Sequence, residues 1–163
     1  MLVRRFEERD IPPALALNNA STPDVNELDE TAMRSLLAMA DSALVAETEG
    51  RFAGFCWVLR PGLPYASLNY RWFSGQYSDF VYLDRIAVSP DCRRLGAGRA
   101  MYGHLVEQYT GVAPVLTCEV NLVPRNDVSL RFHAGLGFVE VGQQHTDGGA
   151  KQVSLLALQL PGS

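Results

Sequence analysis

A turn that contains two glycines, Arg93 to Gly98 (RRLGAG), constrains the fold of this chain more than any other segment. An apolar run from Phe80 to Val88 precedes it and is predicted to form a strand. The residues after it repeat apolar side chains at the spacing of a helix, at Met101, Tyr102, Leu105, Val106 and Tyr109. The sequence therefore predicts a strand that passes through a short turn directly into a helix.

The chemistry of this turn suits an anion. Gly96 and Gly98 have no Cβ atoms that would hold a ligand away from the backbone. The N–H groups in the first turn of a helix have no partners within the helix, and the helix dipole places partial positive charge there. We therefore predict a pyrophosphate site at the start of this helix, with a purely structural turn as the alternative.

Two further blocks flank the turn in chain order, YLDRIAV over Tyr82 to Val88 and NDVSLRFHAGLGF over Asn126 to Phe138. Together with the turn they resemble the GNAT superfamily of acyl-CoA-dependent N-acetyltransferases. The first block is similar to the central strand of that family, the turn to its pyrophosphate loop, and the last block to its Asn-x-x-Ser-x-x-Phe-Tyr-x-x-x-Gly-Phe helix. His133 stands where that pattern usually has Tyr, and the matching region covers about a third of the chain.

The resemblance implies where acetyl-CoA binds. Backbone groups of the central strand take the pantetheine arm, the turn takes the pyrophosphate, and an Asn at the start of the last helix caps that helix and bonds the arm. The implied cofactor-binding residues are Ile86, Ala87, Val88, Arg93, Arg94, Leu95, Gly96, Ala97, Gly98, Arg99, Asn126 and Ser129. For the strand residues, the alternative is an ordinary central strand whose backbone groups bond only its neighbours.

Asp84 is a candidate catalytic base. An amine with a pKa of about 10.4 is mostly protonated at neutral pH, so a group that removes its proton is needed. The resemblance implies an acidic residue here, and Asp84 shares a strand face with Ile86 by the period of two. The alternative is a structural ion pair with Arg85, Arg93 or Arg131.

His133 is a candidate general acid. It lies four residues after Ser129, so both side chains share one face of the predicted helix. A histidine can donate a proton to the departing thiolate. The alternatives are a histidine packed under the helix and a space-filling substitute for Tyr. Glu119, on the preceding strand, either points toward the ligand or pairs with a neighbour, and the sequence leaves both open.

The whole chain, residues 1–163, is predicted to form one domain of the α/β (α+β) class. Apolar periodicity and turn signals predict the element order β-α-α-β-β-β-α-β-α-β-β, with a hairpin at Glu49-Gly50. This order is that of the GNAT arrangement. It implies a mixed, mostly antiparallel sheet of about seven strands, with helices on both faces and a central parallel pair that splays apart.

An aromatic segment between Arg60 and Asp79 is predicted to be a long loop. Loops of this length tend to be functional or disordered, and aromatic residues disfavour disorder. We consider this segment a candidate lid over the acceptor. A loop that covers the sheet edge, or one that forms a contact between two copies in a homodimer, is the alternative.

Composition excludes several classes of protein. A net charge of −4 and the lack of a basic run argue against nucleic-acid binding. The three cysteines, Cys56, Cys92 and Cys118, form no Cys-x-x-Cys motif and have no His at metal spacing, which predicts no metal and a reducing cytoplasm. The chain has no apolar signal core and no apolar run of membrane length, so we expect a soluble cytoplasmic protein that does not bind membranes.

The sequence thus predicts an N-acetyltransferase that moves an acetyl group from acetyl-CoA to a primary amine of a small molecule or peptide by direct attack. The alternative is a non-catalytic, CoA-binding regulatory domain on the same fold, which the missing Tyr at position 133 supports. A nucleotide-phosphate enzyme is disfavoured, because the chain has no Gly-x-x-x-x-Gly-Lys-Ser/Thr motif.

Overall fold

A computed structural model describes residues 1–162. Its strands and helices follow one another as β1 (Leu2–Arg5), α1 (Ile11–Ala20), α2 (Glu30–Met39), β2 (Ser42–Thr48), β3 (Arg51–Leu59), α3 (Leu68–Gln76), β4 (Val81–Val88), α4 (Ala97–Tyr109), β5 (Val115–Val123), α5 (Asp127–Leu136), β6 (Val139–Thr146) and β7 (Lys151–Gln159). The order agrees with the predicted one except for α3.

The strands form one seven-stranded sheet in the order β1-β2-β3-β4-β5-β7-β6. β4 and β5 are parallel, whereas β1 with β2, β2 with β3, β5 with β7 and β6 with β7 are antiparallel. The parallel register pairs Val81 with Leu116 and Tyr82 with Thr117. The hydroxyl of Thr117 donates a further hydrogen bond of 3.0 Å to the Val81 carbonyl. The predicted mixed sheet with a central parallel pair is confirmed.

The two residues of the turn between β2 and β3 determine its backbone conformation. Glu49 and Gly50 have positive φ angles of 51° and 73°. Two consecutive residues with positive φ form the tight hairpin turn that fits the twist of antiparallel strands, and Gly adopts this conformation without steric cost. The predicted hairpin is confirmed at the predicted residues.

The prediction of a loop between β3 and β4 was wrong in part, because this segment contains helix α3. The hydroxyl of Ser67 caps this helix by accepting a hydrogen bond from Tyr70 N. Tyr70 is buried, and its hydroxyl donates to the Arg60 carbonyl at 2.7 Å and accepts from Leu63 N at 3.1 Å. Burial of Tyr70 and Phe73 at a spacing of three stabilises a helix that its mixed composition did not indicate.

Asp10, a residue type that commonly caps helices, precedes α1, but its side chain does not cap that helix. Its carboxylate accepts two hydrogen bonds from the Arg4 guanidinium, at 2.7 and 2.8 Å, and one from Glu7 N at 2.7 Å. Pro12 in the first turn has no N–H to satisfy, which reduces the need for a cap. The carboxylate of Asp10 is therefore paired with Arg4 of β1 and does not cap α1.

The chain divides into two compact units. The first contains residues 1–59 and 83–108, and thus β1 to β3, α1, α2 and most of β4 and α4. The second contains residues 60–82 and those from 109 onward, and thus α3, the start of β4, β5 to β7 and α5. The core of the first unit includes Phe55, Trp57, Met101 and Leu105, and the core of the second includes Tyr70, Phe73, Tyr82 and Leu155.

The helices were compared with the length and apolarity that a membrane span requires. Within residues 1–162, none of them meets both requirements.

Candidate active site

The predicted pyrophosphate turn lies in the first unit, between β4 and α4. A short 3₁₀ turn over Pro90–Leu95 leads to Gly96, which has a left-handed φ of +84°, and α4 begins at the next residue. Ala100 N donates to the Gly96 carbonyl at 2.9 Å and so starts the helical hydrogen bonding. The backbone N–H groups before Ala100 therefore lie at the positive end of the helix dipole.

The side chains around this turn add positive charge. Arg93, Arg94 and Arg99 are all exposed, as is Leu95, whereas Ala97 is fully buried and anchors the start of α4. An added Cβ at Gly96 would meet no protein atom within 4 Å, so the space above this residue is open. An open, glycine-lined helix start with three arginines fits the pyrophosphate of CoA.

The predicted pantetheine strand is the end of β4 in the same unit. Ala87 is 6% exposed, and Ile86 and Val88 on the other face of the strand are half-buried. Ser89 N, just after the strand, donates to the Ala53 carbonyl of β3 at 2.8 Å. The binding of pantetheine by these backbone groups stays a prediction.

Asp84, the candidate base, is held by two neighbours in the first unit. The Trp57 indole N–H donates to Asp84 Oδ2 at 2.9 Å, and Arg85 Nε lies 3.5 Å from the same oxygen. Only 4% of the Asp84 side chain is exposed. The ion pair with Arg85, one of the alternatives weighed from sequence, is thus present, and a catalytic role for Asp84 stays a prediction.

Arg85 extends this network toward the segment between α1 and α2. Its Nη1 donates to Asn18 Oδ1 at 3.1 Å and to the Asn26 carbonyl at 2.8 Å. Its side chain is 8% exposed, and within residues 1–162 its Nε has no hydrogen-bond partner. The contacts of Arg85 with Asp84, Asn18 and Asn26 therefore hold the guanidinium, and the carboxylate beside it, in one position.

The other candidate residues lie on α5 in the second unit. Asn126 caps this helix, because its side-chain oxygen accepts a hydrogen bond of 3.1 Å from Ser129 N. Gly137 ends the helix with a φ of 101°. The predicted helix and its cap at Asn126 are confirmed, whereas contacts of Asn126 and Ser129 with CoA stay predictions.

His133 is turned back onto its own helix. Its Nδ1 lies 2.7 Å from the Ser129 carbonyl oxygen and 3.2 Å from the Ser129 hydroxyl. Since a carbonyl only accepts, the proton of the neutral ring is on Nδ1. His133 is 5% exposed, and its ring meets those of Phe132 and Phe138 edge-on. Burial lowers the pKa of His133 below its ordinary value of 6.5, and the bond to Ser129 only partly opposes this.

The second unit also contains a polar pair that the sequence did not assign. The Tyr82 hydroxyl lies 2.8 Å from both carboxylate oxygens of Glu119. The parallel register places Tyr82 beside Thr117, and Glu119 is on the same face of β5 two residues later. The period of two on neighbouring strands could have indicated this pair, but the register could not be known from sequence.

The three cysteines are buried, and none of them forms a disulfide within residues 1–162. Burial raises the pKa of Cys56 to about 12, which excludes it as a thiolate nucleophile at neutral pH. Cys118 is 2% exposed and is a core residue of the second unit.

Comparison with known proteins agrees with this arrangement. The profile of the acetyltransferase (GNAT) family matches residues 8–138, and the chain belongs to that family. A search of curated proteins found no significant match.

Solved structures share the fold over nearly their whole length. The ribosomal-protein-S18-alanine N-acetyltransferase of Escherichia coli is 21% identical, with a TM-score of 0.76 over 99% of this chain and 95% of that one. Ard1 of Thermoplasma volcanium is 16% identical, with a TM-score of 0.80 over 99% and 98%. yncA of Salmonella typhimurium, solved with its cofactor acetyl-CoA, is 19% identical, with a TM-score of 0.71 over 100% and 95%. At these identities the likeness establishes the fold.

Proposed function

We propose that this chain is an N-acetyltransferase that moves an acetyl group from acetyl-CoA to a primary amine by direct attack of the amine on the thioester. Membership in the acetyltransferase (GNAT) family supports the reaction class. The observation that carries the proposal is the turn at Gly96, where a left-handed glycine opens α4 and three exposed arginines surround the helix start.

The donor is held by the residues of this turn and by β4. Backbone N–H groups at the start of α4, with Arg93, Arg94 and Arg99, bind the pyrophosphate, and backbone groups of Ile86 to Val88 bind the amide-bearing pantetheine arm. Acetyl-CoA supplies an acyl group on a thiol leaving group. A backbone N–H near the acyl oxygen stabilises the negative charge that develops there.

Two carboxylates on the central strands are candidates for taking the proton of the amine. Asp84 accepts the hydrogen bond of the Trp57 indole and lies beside Arg85. Glu119 accepts the hydrogen bond of the Tyr82 hydroxyl, and it is half-buried. The hydrogen bond from Tyr82 holds this carboxylate in place on β5, so we propose Glu119 as a second candidate for this role, in addition to Asp84.

Protonation of the departing thiolate is assigned to His133 in the predicted mechanism. Its lowered pKa leaves little imidazolium at neutral pH, and Nδ1 is already used by the Ser129 carbonyl. His133 could therefore give a proton only from Nε2, and only in its charged form. Proximity of donor and amine can supply most of the rate without such an acid.

The same observations favour a second candidate function, a CoA-binding regulatory domain without turnover. A buried histidine that bonds its own helix has the contacts of a packing residue rather than those of a proton donor. Such a domain would use the turn at Gly96 in the same way, so the two functions differ only in the fate of the acetyl group.

The acceptor is proposed to be a primary amine on a small molecule or a peptide. The structural neighbour from E. coli carries the name of an enzyme that acts on an alanine of a ribosomal protein, which is an acceptor of this class. The three buried cysteines, none of which is in a disulfide within residues 1–162, support a reducing compartment, and we propose the cytoplasm.

One experiment separates the two functions. The full chain is incubated with acetyl-CoA and a panel of amines that includes lysine, polyamines and peptides with free N-termini, and both CoA release and acetylated amine are measured. An acetyltransferase gives amine-dependent release of CoA with one acetylated product per thiol. Tight binding of acetyl-CoA with no amine-dependent release would identify the regulatory domain, and no binding at all would contradict both.

A further inference from the structure

Gly54 on β3 lies unusually close to the end of β4. A Cβ added to Gly54 would be 2.6 Å from the Ala87 carbonyl oxygen, 3.2 Å from Val88 Cα and 3.3 Å from Met101 Cε. A carbon does not approach a backbone oxygen to 2.6 Å, so any other residue at position 54 would force one strand to move. Gly54 has no positive φ, so the space, and not the backbone conformation, requires glycine here.

The groups that Gly54 approaches belong to the proposed donor site. Ala87 and Val88 carry the backbone groups assigned to the pantetheine arm, and Met101 is a fully buried residue of the helix that starts at the pyrophosphate turn. One residue earlier on β3, the Ala53 carbonyl accepts a hydrogen bond of 2.8 Å from Ser89 N. β3 therefore holds the end of β4 by a hydrogen bond on one side of Val88 and by close packing on the other.

Which atom a methyl group added at Gly54 would displace depends on how easily each neighbouring group can move. Met101 Cε is the end of a long side chain and can rotate away. The Ala87 carbonyl is backbone in the middle of a sheet, so relief there requires a shift of the Ala87–Val88 peptide itself. A shift of a few tenths of an ångström is enough to weaken hydrogen bonds that this peptide makes to a ligand.

We propose that Gly54 is a positioning residue of the acyl-donor site, because its missing side chain lets β3 fix the Ala87–Val88 peptide where it binds the pantetheine arm. This inference rests on the proposed function. Gly54 does not touch the donor, and its effect should fall on the arm and not on the pyrophosphate, which binds at α4.

Two probes test this selectivity by calorimetry on the full chain. CoA carries the pantetheine arm, and 3′-phosphoadenosine 5′-diphosphate is the same molecule without it. Gly54→Ala should weaken CoA binding about tenfold, the equivalent of one or two lost hydrogen bonds, and leave the binding of the armless nucleotide unchanged. In turnover assays the KM for acetyl-CoA should rise accordingly.

Gly103→Ala is the matched control. It makes the same chemical change on α4, where an added Cβ meets no atom within 4 Å and the residue is exposed. It should leave the affinities for both probes unchanged. Equal weakening of both probes by Gly54→Ala would overturn the proposal, because it would indicate a general disturbance of the unit, and unchanged CoA binding would overturn it as well.

A measurement on the parent protein covers the case in which Gly54→Ala does not fold. Hydrogen exchange of the segments 52–57 and 85–90 should slow when CoA is bound and should not change with the armless nucleotide. Exchange that does not respond to CoA in either segment would overturn the proposal. Failure of the parent to bind CoA at all would contradict the proposed function itself, and the role of Gly54 with it.

Discussion

The indole nitrogen of Trp57 lies 2.9 Å from Oδ2 of Asp84 and donates a hydrogen bond to it. Trp57 is fully buried on β3, so the carboxylate is fixed from a rigid part of the core. β3 thus acts on β4 at two places, through the indole at Asp84 and through the close packing of Gly54 at Ala87. The position of the candidate base and that of the donor strand depend on the same neighbouring strand.

The pair of variants Asp84→Asn and Trp57→Phe separates the charge of Asp84 from its position. If Asp84 takes the proton of the amine, Asp84→Asn should lower kcat by about 100-fold or more, because general bases contribute at least that much, and CoA affinity should stay the same. Trp57→Phe keeps the carboxylate and should cost mainly stability, about 1.5–3 kcal/mol for a hydrogen bond to a charged group. If kcat of Asp84→Asn equals that of the parent with a true acceptor, Asp84 is structural.

Glu119 and Tyr82 offer the corresponding test in the second unit. Glu119→Gln removes the basic carboxylate and keeps its shape, whereas Tyr82→Phe removes only the phenol that bonds it. If Glu119 is the base, Glu119→Gln should lower kcat by about 100-fold or more and Tyr82→Phe by much less. The rates are measured from pH 6 to 9 at saturating acetyl-CoA. Loss of rate in Tyr82→Phe alone would instead assign the function to the phenol.

The segments predicted correctly from sequence are those that local chemistry determines. The turn at Gly96 and the cap by Asn126 each require a particular residue for a backbone conformation or for a nearby N–H. Such requirements are satisfied within a few residues, so the sequence displays them directly. The hairpin at Glu49-Gly50 belongs to the same class.

The contacts that could not be predicted join residues far apart in the chain. Trp57 and Asp84 are 27 positions apart, and Arg85 and Asn18 are 67 apart. Each depends on strand register or helix packing, which one sequence does not specify residue by residue. Helix α3 was missed for the same reason, since burial of Tyr70 in the second unit stabilises it rather than any periodic pattern. The surroundings of both candidate carboxylates therefore became known only from the structure.

The arginines around Gly96 should make CoA binding depend on salt. Arg94→Ala should weaken CoA binding about tenfold at low ionic strength, because a charge-assisted hydrogen bond to phosphate contributes about 1.5–3 kcal/mol. Because these arginines are exposed, salt screens their charge. The difference in CoA affinity between Arg94→Ala and the parent should therefore shrink as the salt concentration is raised. Arg51→Ala removes an exposed arginine elsewhere in the first unit and should have little effect. An equal effect of the two variants would show that only net charge matters.

His133 should make the stability of the fold depend on pH. Burial lowers its pKa below 6.5 in the folded state, so the unfolded chain binds the proton more tightly. The neutral histidine's contribution to the free energy of unfolding is therefore complete above about pH 6.5 and is lost as the pH falls to the folded-state pKa. In denaturant titrations between about pH 7.5 and 5, the parent should lose more stability than His133→Phe. Parallel curves for the parent and His133→Phe would show that His133 has no shifted pKa.

The role of His133 in turnover is tested with the Phe and Tyr variants. If its imidazolium protonates the thiolate, the rate of the parent should already decline as pH rises through a pKa below 6.5. His133→Phe should then lose kcat without losing CoA affinity. His133→Tyr should extend activity toward the Tyr pKa of about 10. A histidine that only packs against Phe132 and Phe138 leads to a different result, in which Phe and Tyr variants turn over alike with the pH profile of the parent. The hydrogen bond from Nδ1 to the Ser129 carbonyl favours this second result because it commits one ring nitrogen to the helix, and burial favours the neutral ring. If all three proteins have the same kcat, the thiolate leaves without a proton from position 133, and catalysis depends on positioning and on whichever carboxylate takes the proton of the amine.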